Sequence, residues 1–437
     1  MVKSKAFEPL RLGSLRLRNR VIKAATYEGM TPGGIPTKHL TEYHRGMAAG
    51  GVALTTVAYG GVSGDGLTFK DQIILDDRVI SPLRKLTDAV HREGAAAAIQ
   101  LSHCGAFTRS PTLSSFWAQG PSFSLNSYGL FSGIPFARAM TVNEIARTVE
   151  AYGRAAAVAR EAGFDALEIH MGHGYLLSQF ISPATNRRQD QYGGTLINRM
   201  RFPVEVLQRV RGQVGADLPI LIKMNLCDGF EGGLTIEEAI RVAQILEKEG
   251  ADALVMSGGF VSRTPMYLFR GQSPLEAMIA SEASWWHRWI LKLGGKAAFY
   301  DMPYEDMYFL PLARKIRTAV RMPLVLLGGI KHLAHLDKAM AEGFDMVAMG
   351  RALIHQPDLI ARYQAGKQKT STCRPCNKCV GEMARPGGVR CALSLPDNDQ
   401  LQIQEMIKET IQERKNHVSR RGGGGDRRYG RCRPDHM

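Results

Sequence analysis

Apolar residues along this chain fall into two patterns that take turns for most of its length. Short runs alternate with a period of two, and longer stretches carry an apolar position every third or fourth residue. The short runs are VIKAAT from Val21, VALTTVAYGG from Val52, AAAAIQLSHCG from Ala95, DALEIH from Asp165, PILIKMN from Pro219, ADALVMSGG from Ala251, PLVLLGGI from Pro323 and DMVAMGR from Asp345; each reads as a strand. Between them the spacing predicts helices over Thr37–Gly50, Val79–Gly94, Thr235–Gly250 and Pro311–Val320. Another carries Ile145, Val149, Tyr152, Ala156 and Ala159 on one stripe. A further stripe is Ile197, Met200, Val204 and Leu207, where Pro203 is expected to start or kink the helix. Strands alternating with helices in this way imply an α/β fold with a parallel sheet. FEPLRLGSLRLRNRV, around Gly13-Ser14, reads as a hairpin. Gly105–Met140 shows no periodicity and is expected to be a long loop overhanging a site. Phe260–Asp306 is a long insertion whose WWHRWILKLGG segment is expected to be an amphipathic covering helix at the substrate entrance or a dimer contact.

The alternation also says what points inward at the strand ends. Ala166, Glu168 and His170 share one face, opposite Leu167 and Ile169; Leu221, Lys223 and Asn225 share another. Gln100 stands between the apolar neighbours Ile99 and Leu101, and a buried amide left unpaired costs about 1 to 3 kcal/mol, so it should have a partner. Within six residues His170, His173 and Tyr175 bring two imidazoles and a phenol to one strand tip. Gly328-Gly329 and Gly350-Arg351 follow the last two strands, where α/β barrels often hold a phosphate on backbone N–H groups, with arginine adding a fork of donors.

HMGHGYLLSQFISPATNRRQDQYGG, from His170, resembles the signature of the old yellow enzyme family of FMN-dependent ene-reductases, and the likeness extends from Phe7 to Ala365. The resemblance implies a (β/α)₈ TIM barrel with the hairpin as an N-terminal cap. It implies that His170 and His173 hydrogen-bond the carbonyl oxygen of an α,β-unsaturated substrate and that Tyr175 supplies or relays a proton. It places FMN against Ala24, Ala25, Thr26, Ala58, Gln100 and Lys223, with its phosphate at Gly328, Gly329, Gly350 and Arg351, and NAD(P)H as reductant. Glu168 is a candidate counter-ion for Lys223. Tyr27 departs from the family, which carries a small polar residue there.

The composition adds little against this reading. The 437 residues are 44% hydrophobic, with no uninterrupted apolar run of membrane-spanning length and no secretory leader at MVKSKAFEPLRLG, so a cytoplasmic enzyme without a membrane partner is expected. The net charge of +15 is partly local: from Ile411 onward eight Lys or Arg stand against three Asp or Glu in a Gly- and Arg-rich segment. That segment is expected to be a disordered basic tail.

Cysteines concentrate in Cys373-x2-Cys376-x2-Cys379-x11-Cys391, which suits a [4Fe–4S] cluster or a zinc ion and leaves unliganded thiols as a third reading. It resembles the cluster motif that follows the barrel in trimethylamine dehydrogenase and dienoyl-CoA reductase relatives; the dinucleotide-binding module of those enzymes is not expected, since no G-x-G-x-x-G occurs. Cys104, Cys227 and Cys432 are expected to be plain residues. The resulting division is a barrel over 1–365, a cysteine extension over 366–400 and a tail over 401–437. Two alternatives to the ene-reductase stand beside it: an amine- or dienoyl-CoA-type flavin dehydrogenase passing electrons to a partner protein, and a zinc-containing nucleic-acid-binding protein, which would leave inward Gln100, Lys223 and His170 unexplained. Homo-oligomerisation is left open.

Overall fold

The computed structural model describes residues 3–109, 117–282 and 284–394. A hairpin of β1 (Leu10–Leu12) and β2 (Leu15–Leu17) leads into β3 (Val21–Lys23), α1 (Lys38–Ala49), β4 (Leu54–Gly61), the short edge strand β5 (Ile73–Ile74), α2 (Asp77–Arg92) and β6 (Ala96–Ser102). β7 (Ala118–Gly120), β8 (Ser124–Leu125) and β9 (Phe136–Ala139) follow, then α3 (Val142–Glu161), β10 (Ala166–Met171), α4 (Leu176–Ile181), α5 (Leu196–Val214), β11 (Ile220–Asn225), α6 (Ile236–Lys248) and β12 (Ala253–Ser257). The last part runs through α7 (Pro265–Phe269), α8 (Leu275–Ser281), α9 (Trp285–Ala298), α10 (Leu310–Arg317), β13 (Leu324–Leu327), α11 (Leu333–Ala341), β14 (Met346–Met349), α12 (Arg351–His355), α13 (Leu359–Gln364) and α14 (Lys378–Glu382).

Parallel pairing in the order β3, β14, β13, β12, β11, β10, β6, β4, with β4 returning to β3, closes an eight-stranded (β/α)₈ barrel. Its interior is filled by small and branched residues, among them Ala98, Ala166, Leu221, Val255, Val325 and Ala348, and Leu12 and Leu17 of the hairpin join that cluster and close the bottom. Leu167, Ile169, Ile220, Ile222 and Met224 point the other way, into the layer between strands and helices. Helix starts follow the cap signals: Thr37, Thr195 and Thr235 accept backbone N–H groups, and Thr141 and Glu144 form a capping box.

Three expectations change. The segment over 105–140 is not all loop, since β7, β8 and β9 form a small sheet of strands too short to show a period. α5 runs unbroken past Pro203, and Ile197, at its exposed first turn, leaves the buried stripe. The cysteine segment packs into the same compact unit as the barrel, Met1–Ser394; the second unit, Leu395–Met437, contains the tail and Cys432 and lies outside the described residues.

Between β3 and α1 lies a buried charge network. Lys23 Nζ is 2.9 Å from Glu28 Oε1, His44 Nε2 is 3.4 Å from the same oxygen, and Ala58 N–H donates to Glu28 Oε2 at 3.0 Å. Burial works against the Glu28 carboxylate, but Lys23 and His44 outweigh it and hold the pKa below the usual value. Removing one partner strands the other charge in a dry interior. Glu28→Gln should therefore lower stability by about 3 to 5 kcal/mol in urea unfolding, and Lys23→Met added to it should recover part of that loss; equal stabilities of the single variant and the parent would show the network to be dispensable.

Candidate active site

The strand tips open into a cavity of ≈ 730 Å³. Ala24, Ala25, Thr26, Gln100, His170, His173, Tyr175, Lys223, Gly328, Gly329, Gly350 and Arg351 all line it, so residues separated by more than three hundred positions in sequence meet at one mouth. Ala58 does not. A register shift between Val57 and Gly60 interrupts the pairing of β4 with β6, Ala58 spends its N–H on Glu28, and the next residue, Tyr59, takes the place at the wall.

At the centre Glu168 Oε1 accepts from Gln100 Nε2 at 2.5 Å and pairs with Lys223 Nζ at 2.8 Å, all three side chains being buried. The ammonium is thereby held at the cavity wall with its charge balanced. Gln100 Oε1, buried and without a partner, is an acceptor facing the same space.

The β10–α4 corner presents the imidazoles and the phenol. His173 adopts φ 60°, and Gly174 follows at φ 76°, where a Cβ would come within 2.4 Å of the Phe260 ring; only glycine lets the chain turn this tightly. His170 Nε2 lies 3.0 Å from His173 Nδ1, and His173 Nε2 lies 2.7 Å from Ser257 Oγ. Both nitrogens of His173 are thus engaged, and His170 Nδ1 is the ring atom left without a partner. Burial depresses both imidazoles; the His173 ring and Lys223 add to it at His170, and Lys223 alone adds to it at His173, which falls to about 3, so the pair is neutral at ordinary pH. The Tyr175 ring sits 3.9 Å from that of His170, its hydroxyl is 3.4 Å from Thr68 Oγ1, and burial holds its pKa well above 10. Sequence reasoning missed Ser257, hidden in the apolar ALVMS run, and the aromatic wall of Tyr59 and Phe69, on which Tyr27 stacks with ring centres 5.7 and 4.2 Å away.

At the far end Gly329 takes φ 70°, with a Cβ position 2.7 Å from Met307 N, so a side chain at this position would clash with backbone. Arg351 is pinned there by Nη1, which donates to the carbonyls of Phe269 and Arg270 and to Asn377 Oδ1. Asn377 belongs to the cysteine segment. Cys373 and Cys379 line the main cavity, while all four clustered cysteines surround a smaller adjoining one with Arg351 and His355. Cys104 donates to Leu67 O, and Cys227 lies 2.9 Å from the Tyr267 hydroxyl; both are packing residues.

A closed parallel barrel whose mouth combines a carboxylate-balanced lysine, an orphan amide oxygen and a glycine-bearing pole suits a flavin, and the family match places the chain in that class, the flavin-binding oxidoreductases. The chain belongs to the NADH:flavin oxidoreductase / NADH oxidase family, whose model matches residues 5–263, and it is an old yellow enzyme-like enzyme of that family. It is 42% identical over 391 residues to a 4,4'-dithiodibutanoate disulfide reductase of Rhodococcus erythropolis, covering 89% of this chain and 94% of that one. It is 32% identical to a multifunctional alkene reductase/demethylase of Caballeronia cordobensis, covering 84% of this chain but only 50% of the relative. Among solved structures, the old yellow enzyme homologue from Zymomonas mobilis superimposes with a TM-score of 0.66 at 26% identity, over 84% of this chain and 95% of that one.

The depressed imidazoles give a direct test. Ring resonances of His170 and His173 should not titrate between about pH 5 and 8, because folded neutral rings resist protonation. Since the unfolded rings take up protons near pH 6.5, their contribution to stability is unaffected above that value and declines as the pH falls from about 6.5 towards 3. A midpoint near 6.5 in the folded protein would show that the pair carries charge.

Proposed function

We propose that this chain reduces the C=C bond of α,β-unsaturated carbonyl compounds with electrons taken from NAD(P)H through FMN. The observation that carries the reading is the juxtaposition of an unpartnered imidazole nitrogen, His170 Nδ1, with the Tyr175 phenol on the wall of one cavity. FMN fits the residues present: Gln100 Oε1 offers an acceptor to a ring N–H, Lys223 a cation beside the ring edge where reduction builds negative charge, and Gly328, Gly329, Gly350 and Arg351 a wall for the phosphate. When bound it supplies the hydride. Ala24, Ala25 and Thr26 would meet it with backbone.

The chain's own residues then polarise and protonate. If Ser257 O–H donates to His173 Nε2, His173 Nδ1–H donates to His170 Nε2, and His170 Nδ1–H becomes the donor to the substrate oxygen. His173 thus acts through His170, and Ser257 is a positioning residue that selects the tautomer. The neutral Tyr175 phenol supplies the proton to the carbon beside the carbonyl.

A second reading is favoured by the 42% identity, over nearly its full length, to a disulfide reductase. Hydride addition to one sulfur of a disulfide releases a thiol and a thiolate, and Tyr175 protonates the thiolate; the same donors serve. The nucleic-acid reading has no support from the family and is not retained.

For the cysteines we propose a [4Fe–4S] cluster that exchanges electrons with a partner protein. Among the described residues only Asp306, His332 and His335 bring three ligand atoms within 4.8 Å of one another. No three of the clustered thiols are drawn that close, whereas a tetrahedral zinc site would hold all four with sulfurs roughly 3.8 Å apart. Acid-labile sulfide and about four irons per chain are expected, against one zinc and no sulfide for the alternative.

With FMN-loaded protein, Tyr175→Phe should slow oxidation of the reduced enzyme by an enone roughly 10²-fold or more while leaving its reduction by NAD(P)H unchanged in stopped flow. Equal effects on both half-reactions would remove Tyr175 as the acid. Faster turnover of a dialkyl disulfide than of any enone would put the second reading first. Ser257→Ala should retain FMN and weaken phenol binding about tenfold, with Ser257→Thr restoring it; unaltered binding would sever Ser257 from the donor chain.

A further inference from the structure

α9 is built back to front for a helix of a globular barrel. Its inner side supplies His287, Ile290, Leu291 and Ala298 to the cavity wall, yet three of the chain's four tryptophans stand on its outer side. Trp285 is 70% exposed, Trp286 45%, Trp289 51% and Leu293 67%, and Tyr300 just beyond the helix is 47% exposed. Trp286 and Trp289 stack with ring centres 5.4 Å apart. An apolar surface this large turned to water marks a contact with something else.

The charges on the same face say what kind of contact. Arg288, Lys292 and Lys296 are exposed on the helix, which carries no acidic residue. At its two ends Glu282 accepts from the Ser284 N–H and approaches Arg109, and Asp301 accepts from the Ser273 N–H. A second copy of the chain is a poor occupant, because a twofold contact would set these cations against their own counterparts. Tryptophan rings flanked by lysine and arginine, whose long stems let the charge reach outward, are instead the composition of a helix lying in the interface of a negatively charged bilayer.

We propose that the outer face of α9 docks the protein on anionic lipid bilayers, with the helix in the plane of the headgroups. No helix among the described residues is long and apolar enough to cross a membrane, so the attachment is peripheral and reversible. Because the opposite side of the same helix walls the cavity, docking sets the cavity entrance beside the bilayer, where sparingly soluble substrates accumulate. This surface is independent of the reaction assigned above, and its test needs no turnover.

Full-length, FMN-loaded protein should float with vesicles of equal parts phosphatidylcholine and phosphatidylglycerol and remain behind with phosphatidylcholine alone. Its tryptophan emission should move to shorter wavelength on binding, and the attachment should weaken as salt is raised. Each of Arg288→Gln, Lys292→Gln and Lys296→Gln should reduce vesicle affinity about fivefold. Trp285→Ser with Trp289→Ser should abolish flotation while leaving flavin absorbance and thermal midpoint unchanged, since neither residue lines the cavity. Failure to float with either vesicle, equal flotation with both, or a stable dimer whose tryptophans are already shielded from a soluble quencher would each overturn the proposal.

Discussion

Burying a charge at the mouth of a barrel is tolerable only when its partner is already there, and the Glu168 carboxylate is the point on which this site turns. It takes the Lys223 ammonium and the Gln100 amide on one oxygen, from strands on either side of β10, and so ties β6, β10 and β11 together at the height where the cavity begins. Without it an unpaired ammonium would stand in a dry cavity, a costly arrangement. With it, a fixed positive charge and a free amide oxygen share one wall, an arrangement suited to an anionic ring that gains charge on reduction.

The same economy governs the imidazoles. Neither carries charge, so their value lies in the direction of their hydrogen bonds rather than in Coulomb attraction, and that direction is decided one step back, at Ser257. A hydroxyl there can donate or accept; a carboxylate could only accept when ionised and would hold His173 in the opposite tautomer. The chemistry available to His170 is thus set by a residue that touches neither the cavity's floor nor its entrance.

How much of this was legible in the chain depended on whether position alone carried the information. Period-two alternation was enough to send Glu168, His170 and Lys223 inward, and Gly328-Gly329 after β13 with Gly350-Arg351 after β14 were enough to mark a pole. Alternation failed at Ala58, because a local shift of pairing between Val57 and Gly60 exchanges which neighbour reaches the cavity, and a bulge leaves no mark in composition. Ser257 was invisible among apolar neighbours until β10 and β12 were brought together by β11 between them. The tryptophans of α9 were legible as a stripe, but a stripe does not announce which side is wet, and here the cavity claims the other one.

Arg351 joins two regions that could have been independent. Its Nη1 holds Asn377, whose own side chain reaches the Gln272 carbonyl, so the pole of the cavity and the loop bearing Cys376 and Cys379 are clasped by one guanidinium. Order in either place is therefore tied to the other, and any coupling between them is reciprocal. A ligand seated at the pole of the cavity and the arrangement of the cysteine loop are thus held by a single side chain, so a change at Arg351 is felt in both.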